Sequence, residues 1–173
     1  MNDQSSPFDA LGATFAMLLL RLWLAVRAIQ TAIEKFAGSA TVKRPLLDEF
    51  GEPDITGAVA EVKVKVYGLA HYHGVPDALA AKFADEPLLP KVLLGLYDKA
   101  LGPALLLAGL ALLFGAGTRV ALFAMGLIYV SLTWGLILLG QDGGIAWLGT
   151  HMALIVAALL LAKYNRFALR SRW

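Results

Sequence analysis

The 173-residue chain is 58% hydrophobic and only 16% charged, with a mean hydropathy of +0.66. Water-soluble domains run nearer half apolar and about a quarter charged, and one of this size cannot hide so much apolar surface from water, so a lipid bilayer is the solvent the composition fits. With no cysteine, the chain forms no disulfide, thiolate metal site or dithiol couple, and a net charge of +2 without any Lys/Arg block argues against nucleic acid as a partner.

In chain order, the N-terminus Met1-Asn2-Asp3-Gln4-Ser5-Ser6-Pro7 has no basic n-region, and no small-residue cleavage site follows the first apolar run. The first span is therefore expected to stay in the mature protein. That span runs over about 11–36, and three more are expected over about 92–114, 119–139 and 145–162. Each approaches the twenty or so apolar residues that cross a bilayer. The breaks between the last three are the short Gly-rich turns Gly115-Ala116-Gly117-Thr118 and Gln141-Asp142-Gly143-Gly144, which force antiparallel neighbours. The expected architecture is one all-α membrane domain over 1–173, a four-transmembrane-helix bundle.

Lys163, Arg166, Arg170, Arg172 and Arg119 flank one set of helix ends, whereas Asp142 is the charge in the turn at the other. The bias of Lys and Arg toward the cytoplasm then places both termini inside and the segment 38–90 outside. Trp134, Trp147 and Trp173 fit interfacial depths, and Trp23 lies too deep for such a belt. Within the outer segment, Val59, Val62, Val66 and Leu69 fall at helical spacing, as do Leu79, Ala80 and Phe83. One or two short amphipathic helices, lying on the outer leaflet or capping the bundle, are expected there. The period-two run Val62-Lys63-Val64-Lys65-Val66 offers a strand instead; with no partner strand evident, the helix is preferred.

The polar residues at membrane depth point to function. Charges inside a span are costly and usually face a bundle interior or a cavity. At about 100° per residue, Arg21, Arg27, Gln30, Thr31, Glu34 and Lys35 fan across one half of the first helix, and Leu22, Val26, Ile29 and Ile33 occupy the other. Tyr97, Asp98 and Lys99 on the second helix, Thr133 and Trp134 on the third, and Trp147 and His151 on the fourth fall at a matching level in the outer half. Arg27, Lys35 and Lys99 against Glu34 and Asp98 leave a positive excess, to which Arg21 adds from nearer the midplane. Such a cluster attracts a small anion or offers donors to a quinone head group. The competing reading is structural: Arg27–Glu34 and Asp98–Lys99 as ion pairs that fix helix register, with Lys35 snorkelling to the head groups. His71 and His73 lack a third ligand at suitable spacing, so no metal site is expected. Gly95, Gly102, Ala108, Gly109 and Ala111 read as small residues for close helix packing.

The second half resembles the DoxX/DoxD-like membrane proteins. The carrying residues are Leu101-Gly102-Pro103 and then Gly109-Leu110-Ala111-Leu112-Leu113-Phe114-Gly115-Ala116-Gly117-Thr118-Arg119, which follow a G-x-x-L-L-x-G-x-x-T-R pattern. Leu20-Arg21-Leu22 with Glu34-Lys35-Phe36-Ala37-Gly38 is similar to the family's opening, and the Gly135-Leu136-Ile137 and Asn165-Arg166 regions to its later helices. Residues 39–75 match no part of the family pattern. The resemblance implies a small subunit of the bacterial or archaeal cytoplasmic membrane. In one branch that subunit belongs to a thiosulfate:quinone oxidoreductase, working with a partner polypeptide. On that footing Arg27, Lys35 and Lys99 hold the anion, Arg21 lines the deeper pocket, His151 or Asp98 manages quinone protons, and Glu34, Trp134 and Trp147 complete the binding site. The alternative is a non-catalytic subunit that anchors, assembles or stabilises a larger respiratory complex.

Overall fold

A computed structural model describes residues 7–46, 51–52 and 56–169. Arg170, Arg172 and Trp173, invoked above for orientation and interfacial anchoring, lie outside the described residues. Helix α1 runs Pro7–Glu34, followed by strands β1 Ala37–Pro45 and β2 Val59–Tyr67, a 3-10 turn Leu69–His71 and the short helix α2 Asp77–Ala84. Three long helices complete the chain: α3 Lys91–Phe114, α4 Thr118–Leu138 and α5 Asp142–Leu161. The four long helices are each long and apolar enough to cross a membrane, so the class is a multi-pass membrane bundle, with bounds a few residues from those expected.

Packing follows from where the side chains are small. Thr14, Met17, Arg21, Leu24, Ala25, Ala28 and Ala32 are buried and recur every three or four residues along α1, a single stripe facing the other helices. Val26 and Ile33, on the apolar half, stand exposed, as a lipid-facing side requires. Gly109 of α3 meets that stripe: a Cβ there would lie 2.8 Å from Ile29 Cγ1 and 3.1 Å from both the Ala25 carbonyl and the Ala28 methyl. The expectation of close packing at Gly109 holds. At Gly95 it does not, for nothing lies within 4 Å of that position. Met125, Leu122, Leu105, Leu112 and Ile155 fill the centre. Gly115 adopts φ +69 and Gly117 φ +60, a left-handed backbone that costs glycine least, which lets the chain reverse between α3 and α4.

The segment between α1 and α3 departs from the expected helices. β1 and β2 form an antiparallel hairpin, pairing Ala37 with Tyr67 through Pro45 with Val59. Partners directly opposite each other share a face. One face carries Ala40, Val42, Val62 and Val64; the other carries Ser39, Thr41, Lys43, Glu61, Lys63 and Lys65. The Val-Lys alternation was thus the period of a strand after all. Its partner was obscured because Gly38, Ser39, Ala40 and Pro45 are poor strand formers. The hairpin's cationic face is tied to the end of α1, where Lys65 donates to Glu34 in an ion pair and the Tyr67 hydroxyl lies 3.3 Å from the same carboxylate. Gly38 on the opposite face admits the His71 ring, which a Cβ would approach to 2.5 Å. The second half of the segment is helical as expected. α2 turns Phe83 onto Gly135 of α4, its ring 3.1 Å from where a Cβ would be, and so caps the bundle.

Candidate ligand site at the hairpin end of the bundle

The stretch from Gly68 to Pro76 builds the site. Its backbone is tied to the end of α1 by the Gly68 N–H on the Phe36 carbonyl at 3.0 Å and the His73 N–H on the Lys35 carbonyl at 2.8 Å. The Phe36 and Tyr72 rings meet at 4.9 Å. From there Tyr72 enters α3. Its hydroxyl donates to the Asp98 carbonyl at 2.7 Å, lies 3.1 Å from the Lys99 carbonyl, and accepts the Gly102 N–H at 3.1 Å. Pro103 has no N–H for the Lys99 carbonyl one turn back, and Gly102 has no side chain to block the ring, which a Cβ would approach to 2.6 Å. The next residues are fixed by Asp98, whose carboxylate accepts the Val75 N–H at 2.6 Å. Gly74 packs directly on the Asp98 carbonyl, leaving no room for a Cβ.

Two cavities flank this stretch. A polar chamber of about 400 Å³ is lined by Arg27, Gln30, Thr31 and Glu34 from α1, by Lys35 in the turn after it, and by His73, Pro76 and Asp77 opposite. The polar fan read from the sequence of α1 therefore does converge on one space. Arg27 donates to the Gln30 carbonyl oxygen at 2.7 Å, while its guanidinium sits 5.4 Å from the centre of the Trp147 ring; the Arg27 Nε is buried without a partner. Glu34 is engaged by Lys65, and exposed Asp77 stands 3.8 Å from the His73 ring. Arg27 and Lys35 are thus the cations left to face an incoming ligand. Burial holds the Lys35 ammonium below the usual lysine range, against the opposing pull of Asp98.

Beside it lies an apolar chamber of about 650 Å³, within the range of about 300–1,000 Å³ typical of ligand pockets. Leu79 and Phe83 of α2 roof it; Leu94 and Leu101 of α3, Trp134 of α4 and Trp147 of α5 form its walls. Its polar wall is the Tyr97–Ser131 pair at 2.8 Å. Ser131 spends its one proton on the Ile128 carbonyl at 2.7 Å, so Tyr97 is the donor to Ser131. Lys35 and Pro76 line both chambers.

Of the residues read as site candidates, the structure brings Arg27, Glu34 and Lys35 together in the polar chamber and Trp134 and Trp147 in the apolar one. Asp98 stands behind the wall and holds the Val75 backbone. Lys99 is exposed and contributes only its carbonyl, to Tyr72. His151 is buried with 3% exposure, its Nδ1 3.0 Å from the Trp147 carbonyl and its ring 5.8 Å from that of Tyr129 and 4.7 Å from that of Trp147. It supports Trp147 and lines neither chamber. Arg21 belongs elsewhere: it donates to the Asn165 side chain at 2.7 Å, beside Gly115. The Asn165 amide donates in turn to Thr118 at 2.8 Å, which makes this a buried lock at the far end of the bundle. Among the described residues no three His, Asp or Glu side chains gather as a metal ion would need. Tyr72, Val75, Pro76 and Phe83 were not singled out in the sequence with site roles; the Gly102-Pro103 pair was the available signal for Tyr72.

The architecture is that of a small four-span membrane protein with a two-chambered pocket under a hairpin and a short capping helix. Compared with known proteins, the chain matches no family model, no curated protein and no solved structure.

Proposed function

We propose that the chain is a membrane subunit of a redox system that binds quinone in the apolar chamber and a small anion in the polar one, in keeping with the DoxX/DoxD-like pattern of its helices. The observation that carries this reading is the junction at Lys35. A cation-bearing polar space adjoins an apolar space of ligand size whose walls include two exposed tryptophans. An isoprenoid chain arriving from lipid meets Leu, Phe and Trp surface, and its ring meets donors at the Lys35 wall. A sulfur oxyanion arriving from water meets Arg27 and Lys35. The positive bias of Lys163, Arg166 and Arg119 at the opposite end supports cytoplasmic termini and an outward-facing pocket, in a bacterial or archaeal cytoplasmic membrane. The chain supplies the binding surfaces, and a partner subunit completes the electron path.

The test is thiosulfate-dependent quinone reduction in proteoliposomes reconstituted with the polypeptides that co-purify from native membranes. Arg27→Ala is expected to lose most of the activity, since it leaves Lys35 as the one cation facing the anion in that chamber. Full activity in Arg27→Ala, or none in the wild-type assembly, overturns the reading. A second reading, a non-catalytic anchoring or assembly subunit, is favoured by the hairpin. A lone two-stranded ribbon is marginal in water, and here Val42, Val59 and Val62 stand exposed, as a docking element's would. Purification of a fully active protein without any partner sinks that alternative.

A further inference from the structure

Two residues line both chambers, Lys35 and Pro76, beside the contact of Arg27 on one side with Trp147 on the other. Pro76 is fixed in its ring and has no hydrogen to donate. Its backbone is the N-cap of α2, with its carbonyl accepting from Leu79 and Ala80 at 2.9 Å. Lys35 is different: a flexible four-carbon stem with a point charge and three rotatable donors, on a backbone held by the His73 N–H. Among the described residues its ammonium has no ion-pair contact, although Asp98 lies within electrostatic reach behind the wall. Lys35 is therefore the cation that both chambers can use and that cannot serve both at once.

We infer that Lys35 couples the two chambers, so that an anion in the polar space withdraws the ammonium from the apolar space and weakens quinone binding there. This rests on the reading of the chambers given above and adds the regulation of that site. A filled polar chamber orients the Lys35 stem toward Arg27 and the anion; an empty one leaves the ammonium free to donate to a quinone carbonyl. Because coupling between two sites is reciprocal, quinone must weaken the anion by the same factor. Accumulating anion thereby opposes quinone uptake until it is consumed or leaves, and the pocket discharges one ligand as it takes the other.

The experiment uses the full chain in nanodiscs, with Trp23 and Trp173 replaced by Phe, and the quenching of tryptophan fluorescence by a short-chain benzoquinone, which then reports on Trp134 and Trp147. Quinone dissociation constants are measured with and without saturating thiosulfate at constant ionic strength. In the wild type thiosulfate is expected to raise the quinone constant by about fivefold or more, the lower end of ordinary couplings. In Lys35→Met the ratio falls to one whatever the intrinsic affinity becomes, and in Lys35→Arg it persists. If Lys35→Met does not fold, Lys35→Gln serves in its place. An unchanged ratio in the uncharged variant overturns the inference, as does a ratio of one in a wild type that binds each ligand alone; both leave the reading of the chambers standing. Absence of quinone quenching in the wild type overturns that reading and the coupling with it.

Discussion

The Tyr72 hydroxyl lies 3.1 Å from the Lys99 carbonyl, the acceptor that Pro103 leaves without its helical donor. A proline inside a helix normally opens a gap in the hydrogen-bond ladder. Here the Tyr72 hydroxyl from a distant loop sits over the gap, its single proton shared between the nearer Asp98 carbonyl and that of Lys99, and its oxygen accepts the Gly102 N–H at 3.1 Å.

Tyr72→Phe is therefore expected to destabilise the fold by about 1 kcal/mol, the net worth of a typical hydrogen bond, since these groups are only partly buried. Pro103→Ala in the same chain is expected to recover part of the loss, because its N–H supplies Lys99 again. Thermal unfolding of the two single variants and the double variant in detergent checks this. Strict additivity would contradict the account.

Arg21→Met is expected to lower stability by about 1–3 kcal/mol, since the Asn165 carbonyl oxygen loses its buried donor. Quinone and anion affinity are expected to stay within twofold of wild type, because Arg21 lines neither chamber. Binding titrations beside the unfolding curve separate the two effects.

Lys35→Met is expected to raise the unfolding midpoint even as it weakens the anion. Desolvation is the dominant influence on Lys35 and depresses its affinity for the proton. The sign follows from proton counting: the unfolded chain binds this proton more readily than the native one. Between the depressed native value and the ordinary 10.5, the wild type should accordingly gain stability as pH rises. The variant should lack that slope, and midpoints recorded from pH 7 to 10 decide the matter.

The clip between Lys65 and Glu34 behaves in the opposite sense. The carboxylate and the Tyr67 hydroxyl hold Lys65 above the ordinary lysine value of 10.5. The attachment is then complete below 10.5 and lost as pH climbs through the native value. Since the chain contains no cysteine, a nitroxide on Val42→Cys is a unique label. Its spectrum should sharpen above that pH, and Glu34→Gln should produce the sharp spectrum already at neutrality.

The four spans were legible because each is a long, mostly apolar run, and glycine-rich turns separate the last three. The polar chamber was legible too: helical geometry alone puts Arg27, Gln30, Thr31 and Glu34 on one side of α1, and Lys35 follows in the next turn. What sequence could not supply was level. Depth was assigned as though the helices began and ended together, yet Arg21, halfway along α1, stands beside Gly115 in the turn that follows α3. That offset removes Arg21 from the pocket. Asp98 and Lys99 point about 100° apart, so only one of them could face the wall, and it is Asp98 that does. His151 shares a side with Trp147 one turn away, but its ring is sealed between Trp147 and Tyr129. The hairpin was missed because its first strand is built from residues with little strand preference.

The unequal lengths of the spans bear on the surrounding lipid. At about 1.5 Å per residue, the 28 residues of α1 extend about 42 Å, and the 20 of α5 only about 30 Å. A hydrocarbon layer about 30 Å thick matches α5 upright, and the surplus of about 12 Å in α1 coincides with its polar last turns, Arg27 to Glu34. The spare length is thus a projecting end that carries the anion-facing groups clear of the acyl chains, where a water-borne ligand can reach them.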